Sequence, residues 1–345
     1  MAAKTNPGNY FEDFEVGQTL AHATPRTMTE GDRALYTSLY PTRFALPSSA
    51  AFAAACGFDR HPLEELVGFH AAFGKTVPDV SLNAVANLGY ADCRFLRPVY
   101  AGDTLSTTSE VIGLKENSSG KTGIVYVRSN AVDADGEPVL TWARWVMVRK
   151  ADPSVAAPEA VVPDLPDVVD PSDIPVPDGL DFSSYDTVLA GEPHRLGDYE
   201  VGEKIDHVDG VTVTESEHMM ATRLWQNTAK VHFNVQARDD GRPLVYGGHV
   251  ISLVRALSFN GLANAQLIAA INAGSHTAPC FAGDTVHAWS EVLDTAELSD
   301  SVGALRLRHV AVKDRQPTDF PLRNEEGKYA DGVLLDIDLW ALIPR

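Results

Sequence analysis

Phe14-Glu15-Val16-Gly17 returns as Tyr199-Glu200-Val201-Gly202, and Ala101-Gly102-Asp103-Thr104-Leu105 returns as Ala282-Gly283-Asp284-Thr285-Val286. Between those marks, Thr27-Met28-Thr29-Glu30 is answered by Thr212-Val213-Thr214-Glu215, and Leu39-Tyr40 by Leu224-Trp225, in the same order. A repeat of this length exceeds a solenoid unit and matches a whole domain of roughly 150 residues. The 345-residue chain is therefore read as two copies of one domain. Each copy is long enough to bury a core without metal or disulfide.

From Ala151 to His194 the chain has no Lys or Arg, and prolines such as Pro153, Pro158, Pro163 and Pro171 alternate with acids such as Asp152, Glu159, Asp164 and Asp170. Proline denies such a segment helix and inner-strand hydrogen bonds, and like charges extend it. The expected organisation is a first domain over 1–150, a surface linker over 151–194 and a second domain over 195–345.

Each copy carries the same signals in order. A strand-like stretch (Phe11–Leu20; Gly197–Ile205) precedes a TxTE segment, in which Thr29 or Thr214 can cap a helix carrying Arg33–Leu39 or His218–Leu224. A long apolar helix is expected next. In the first copy the stripe Val80, Leu82, Val85 and Leu88, with Pro78 near its start and Gly89 at its end, places it over 78–89. In the second copy Val250, Leu253, Val254, Leu257 and Phe259 place it before Gly261. Strand-like stretches follow, among them Ile124–Asn130, Leu140–Val148, Gly303–Val312 and Gly332–Ile343. The fold class is α+β, each half an antiparallel β-sheet wrapped around a long central helix.

The formal net charge of −19 argues against nucleic acid, because phosphate binding needs clustered cations. No apolar run reaches the roughly 20 residues of a membrane helix, and the polar start (Lys4, Asn6, Asn9) does not resemble a secretory leader. Cys56, Cys93 and Cys280 form no metal-like spacing and fit reduced thiols. The expectation is a cytoplasmic protein with no membrane partner, no metal and no cofactor.

The ordered set of motifs resembles the MaoC-like branch of the hot-dog fold, the (R)-specific enoyl-CoA hydratase family. The resemblance spans both copies and rests on FEVG, TxTE, Arg97-Pro98-Val99 before Ala101-Gly102-Asp103-Thr104, and Tyr246-Gly247-Gly248-His249 at a helix start. Phe73–Tyr90, Glu110–Thr122 and Tyr246–Ala265 most resemble members that act on a branched five-carbon dicarboxylic thioester. What the resemblance implies is a tandem (double) hot-dog, a hydro-lyase, a CoA-thioester substrate carrying its own CoA, and a homodimer. The family places an Asp and a His five residues apart against the thioester. Here those positions are Asn227 and His232, while the first copy has Thr42 and Pro47. The second copy is expected to hold the site and the first to wall it.

Adding water to a conjugated thioester requires a base for the water, a proton for the α-carbon and stabilisation of the enolate oxygen. His232 is the expected base, since imidazole titrates near neutrality. Asn227 can orient the water but cannot take a proton. Asp79 and Glu215 are candidates, by residue type, for an additional carboxylate. A backbone N–H near Gly248 is the expected oxyanion donor, with Gly247 allowing close approach and His249 able to line the pocket. His70, His276 and His309 are read as structural. Arg43 and Lys75 are the candidate anchors for a free carboxylate, and Arg94, Arg97, Lys121 and Arg255 the candidate cations for CoA phosphates. Alternatives are a hydratase of monocarboxylic chains, a thioesterase, or a non-catalytic acyl-CoA binding module.

Overall fold

The computed structural model describes residues 4–345. The first copy supplies β1 (Thr19–Thr27), β2 (Ala84–Phe95), β3 (Thr104–Glu116), β4 (Thr122–Val132) and β5 (Pro138–Arg149). The second supplies β6 (Lys204–Thr212), β7 (Leu267–His276), β8 (Thr285–Glu297), β9 (Val302–Lys313) and β10 (Val333–Pro344). They form one antiparallel sheet in the order β1-β3-β4-β5-β2-β7-β10-β9-β8-β6, so the second half reads as the first in reverse. The halves join where β2 pairs with β7, Tyr90 opposite Gly274 and Cys93 opposite Ile271.

The repeated motifs hold the same turns in both halves. Gly17 and Gly202 adopt φ of +85° and +89°, and their N–H groups donate to Val111 and Val292 carbonyls at 2.8 Å. That conformation is open to glycine and costly for other residues. Phe11–Leu20 is thus a 3-10 turn (Phe11–Asp13) and a glycine turn, with the strand beginning only at Thr19. Thr29 and Thr214 cap the helices Glu30–Leu39 and Glu215–Leu224 as expected, each hydroxyl accepting the N–H three residues on.

The central helix of the second copy is Gly247–Leu257, as the apolar stripe predicts. That of the first copy is Glu65–Thr76, followed by a π-turn over Val77–Ser81, and the expected helix over 78–89 is instead the turn and most of β2. The reason is burial. From Leu66 to Thr76 every residue is buried, so the helix has no polar face and no stripe for a 3.6-residue period to show. The spacing that carries Ala101 to Ala282 also carries Gly247–Leu257 back to within one residue of this helix, a signal in the repeat itself.

Both central helices and the inner sheet face share one apolar core, which includes Phe69, Phe73 and Trp142 from the first copy and Trp225, Val254 and Leu339 from the second. The segment 151–194 is largely without regular structure but does not merely run over the surface. Val169, Phe182, Tyr185 and Ala190 are buried against Trp340 and the outer side of the sheet. The Val169 carbonyl accepts from Trp340 Nε1 at 3.0 Å, and its N–H donates to Asn272 Oδ1 at 2.9 Å. Enough apolar residues lie among the acids to overcome their solvation. Among the described residues no helix is long and apolar enough to cross a membrane.

Candidate active site

A cavity of about 340 Å³ lies between the two copies. Phe73, Val77, Asn87, Tyr90 and Arg144 line it from the first copy, and Asn227, His232, Leu244, Tyr246, Gly247 and His276 from the second. The matching place in the first copy is identified by a shared contact: the Leu63 N–H donates to Val99 O as the Val245 N–H does to Cys280 O. There the space is only about 40 Å³, walled by Leu63, Phe69, Phe95, Val99 and Leu140. That is room for a few waters at most, too little for an acyl chain.

His232 sits on a 3-10 turn (Lys230–His232) and its Nδ1 donates to the Leu244 carbonyl at 2.8 Å. A carbonyl can only accept, so this bond fixes the tautomer and leaves Nε2 with its lone pair available. Burial pulls the imidazole down to about pKa 4; the bond to Leu244 opposes that shift and nearby His218 adds to it. The neutral, proton-accepting form therefore persists at physiological pH.

Asn227 is buried, and its Oδ1 accepts the Ala229 N–H at 2.9 Å. With the carbonyl engaged in this local turn, the Nδ2 donors are the part of the carboxamide left for a ligand. The loop that carries it is set by the other copy. A Cβ on Gly74, in the first central helix, would lie 1.8 Å from the Trp225 carbonyl oxygen. Only glycine lets that helix and the Trp225–Asn227 backbone approach so closely. Arg26 donates to the Leu224 carbonyl, and Lys75 Nζ bonds to Gln226 and, at 3.0 Å, to Thr24 Oγ1.

The helix Gly247–Leu257 begins without a side-chain cap, so its first N–H groups and positive dipole end are uncovered. Gly247, not Gly248, is the glycine on the cavity wall. Gly248 is buried behind it, where a Cβ would meet Tyr246 and His70 at 2.4 and 2.6 Å. His249 points away from the cavity, its Nδ1 3.1 Å from Tyr40 Oη, because two residues beyond Gly247 the helix has turned through roughly 200°. His276, read as structural, lines the cavity, with Nε2 3.2 Å from Tyr90 Oη. Its signal was its place in the alternation leading to Pro279, which puts it on the inner face of β7.

The candidate carboxylate anchors are not in the cavity. Arg43 is exposed and lies over the Phe259 ring at 4.4 Å. Lys75 lies inside the central helix rather than before it, and holds Gln226. Asp79 pairs with His22 Nδ1 at 2.8 Å, and Glu215 is exposed. Among the described residues no carboxylate lines the cavity. Nor do the four cations considered for CoA. Arg94 pairs with Asp92, Arg97 with Asp133 and Arg255 with Glu65, and Lys121 is exposed.

The first copy has lost the equivalent chemistry by filling it. Glu64 and Glu65 stand where Tyr246 and Gly247 stand in the second copy, and Glu64 Oε2 accepts from Thr42 Oγ1 at 2.7 Å. Glu65 Oε1 accepts the Ile268 N–H at 2.9 Å. Pro47 is packed in a short buried helix, Ala45–Ser48.

A sheet of two mirrored halves around paired helices, with a cavity where they meet, defines a double hot-dog protein of the MaoC-like dehydratase class. A Chloroflexus aurantiacus structure described as a putative MaoC domain protein dehydratase superposes with a TM-score of 0.97 at 60% identity, covering 100% of this chain and 99% of that one. A Mycobacterium tuberculosis protein described as having a double hot-dog fold gives 0.78 at 26% identity, covering 98% and 99%. The chain belongs to the mesaconyl-CoA hydratase family, whose model matches residues 1–323. It is 64% identical to the mesaconyl-CoA hydratase of Cereibacter sphaeroides, over 99% of this chain and 100% of that protein. It is 61% identical to the β-methylmalyl-CoA dehydratase of Chloroflexus aurantiacus, over 100% and 99%.

If Gly74 sets the position of the Asn227 loop, Gly74→Ala displaces that loop while the chain still folds. The expected result is a loss of about 10²-fold in kcat, the scale of a displacement of about 1 Å at a reacting group, with the far-UV circular dichroism unchanged. Steady-state rates on the folded variant check it; full activity would show that the close approach is dispensable.

Proposed function

We propose that this chain is a hydro-lyase that reversibly adds water to mesaconyl-CoA to give β-methylmalyl-CoA. Its family membership and its two curated relatives support that reaction. The observation that carries the mechanism is the tautomer lock on His232, which aims an unprotonated Nε2 into a cavity that begins at an uncapped helix start.

In the hydration direction, water is held between Asn227 Nδ2 and His232 Nε2. Nε2 takes one proton as the water oxygen bonds to the β-carbon, and the alkene electrons pass through the α-carbon to the thioester oxygen. The Gly247 N–H and the helix dipole stabilise the charge that grows there, where water is largely excluded. The imidazolium returns the proton to the α-carbon and the thioester is restored. With no carboxylate on the cavity wall, His232 serves both proton transfers, and Asn227 orients without titrating. This chemistry draws only on groups of the chain. Three free buried thiols fit a cytoplasmic setting.

His232→Ala should lower turnover of mesaconyl-CoA by at least about 10²-fold, the usual worth of an acid–base group. Thr42→Ala, in the filled copy, should cost far less. Loss of absorbance at the enoyl-thioester band, with free CoA assayed in parallel, reads both variants and separates hydration from hydrolysis. A His232→Ala enzyme within threefold of wild type would remove His232 from the mechanism.

The pH profile follows from the lowered pKa of His232. The neutral form is the active base, so activity is present above the folded-state value near 4 and is lost as pH falls through it. The acid limb of kcat/KM should therefore lie near 4 and not near the ordinary 6.5 or so. A midpoint at the ordinary value would mean that the base is another group or a solvated one.

We place the working unit as a homodimer of the 37.2 kDa chain. Light scattering should give twice the chain mass; the single-chain mass under assay conditions would rule the dimer out.

A further inference from the structure

Two arginines are buried to 1% exposure, and they are treated differently. Arg255 has unbonded N–H groups, at Nε and Nη1, but it also has an internal counter-charge, its Nε 3.6 Å from Glu65 Oε1. Arg144 has none. Its Nη2 donates to Thr76 Oγ1 at 2.7 Å and to Ser81 Oγ at 3.4 Å, and its Nη1 only grazes Asn87 Oδ1 at 3.5 Å. Its guanidinium lies over the Phe73 ring at 4.3 Å. The Nε–H has no partner, and neither does the buried Nδ2 of Asn87 beside it. Burial lowers this guanidinium to about pKa 10, which leaves it charged at neutrality. An uncompensated buried cation is costly and persists where something outside the fold completes it.

Arg144, Asn87 and Ser81 all line the cavity that also holds His232 and Gly247. We propose that Arg144, with the Asn87 carboxamide, binds the free carboxylate of the dicarboxylic acyl chain and so decides which thioester is hydrated. This rests on the hydratase reading given above. The geometry suits that substrate class. In a methylfumaryl skeleton each alkene carbon carries one carboxyl group, so the β-carbon that takes the hydroxyl also bears the free carboxylate. A guanidinium can receive a carboxylate through two parallel N–H groups, and here at least one N–H of Arg144 and the Asn87 amide stand unused. Pairing also removes the like-charge repulsion that an ionised carboxylate exerts on a hydroxide-like nucleophile attacking the adjacent carbon. Both anchoring residues come from the first copy and the base from the second, so the substrate is held across the two halves. Neither Arg43 nor Lys75 takes this part.

The test compares wild type with Arg144→Gln and Arg144→Lys on mesaconyl-CoA and on crotonyl-CoA, which lacks the second carboxylate. The readout is the ratio of the two kcat/KM values. Arg144→Gln should lower the ratio by at least about 100-fold, as expected when one partner of a buried charge pair is removed, and Arg144→Lys by less. The thermal midpoint of ligand-free Arg144→Gln should stay at or above that of wild type, an outcome a purely structural arginine would not give. Calorimetric binding of the saturated esters methylsuccinyl-CoA and butyryl-CoA supplies the same comparison without turnover, and Asn87→Ala supplies it should Arg144→Gln not fold. An unchanged ratio, or a binding preference that survives the substitutions, overturns the proposal while leaving the hydratase reading intact. An Arg144-dependent preference for methylsuccinyl-CoA in an enzyme that hydrates neither ester supports the anchor and overturns the hydratase reading.

Discussion

The molecule depends on one close approach of backbone to backbone, where the first central helix at Gly74 meets the carbonyl of Trp225 in the other copy. That contact fixes the loop carrying Asn227 at the end of the helix Glu215–Leu224, and it leaves no room for a side chain. Lys75 and Arg26 then hold Gln226 and Leu224 from the same side. The Asn227 loop is thus shaped by a helix of the other copy. A single hot-dog half has the strands for a sheet but lacks the surface against which this loop is pressed.

The two halves also differ in how they treat charge. At the first copy's helix start, Glu64 and Glu65 face Arg255 from the second copy's helix; burial raises both carboxyl groups, and the neighbouring Glu65 charge helps to bring Glu64 to about 7. In the second, the corresponding helix start carries Gly247, which brings no charge and leaves the peptide N–H groups uncovered. The charge on the cavity wall comes from Arg144 of the first copy, and among the described residues no carboxylate lines that wall. At the filled site the two copies close their electrostatics against each other; at the cavity Arg144 keeps no counter-charge among the described residues.

Much of the fold was legible in the sequence because repetition is a signal that does not depend on propensity. The turns at Gly102 and Gly283, both at positive φ, were marked by glycine in both copies. The helices capped by Thr29 and Thr214, and the helix before Gly261, were equally plain. The first central helix was not, because a helix buried on every side has no amphipathic period, while Val80, Leu82, Val85 and Leu88 imitate one across a turn and a strand. The burial of Phe182 and Tyr185 in the acidic segment was masked by its composition.

The sequence by itself determined the doubling, the placement of Asn227 and His232 in one copy opposite Thr42 and Pro47 in the other, and the helix start at Gly247 and Gly248, since each is a matter of residue type at a fixed spacing. Tertiary structure alone decided which groups meet in the cavity. Arg144 and Asn87 approach His232 across the interface of two domains, His276 is brought in by the inner face of β7, and His249 is turned away from it. Spacing along the chain reports neighbours within an element, and these contacts are made between elements far apart in sequence, where only the packing of the two halves sets who faces whom.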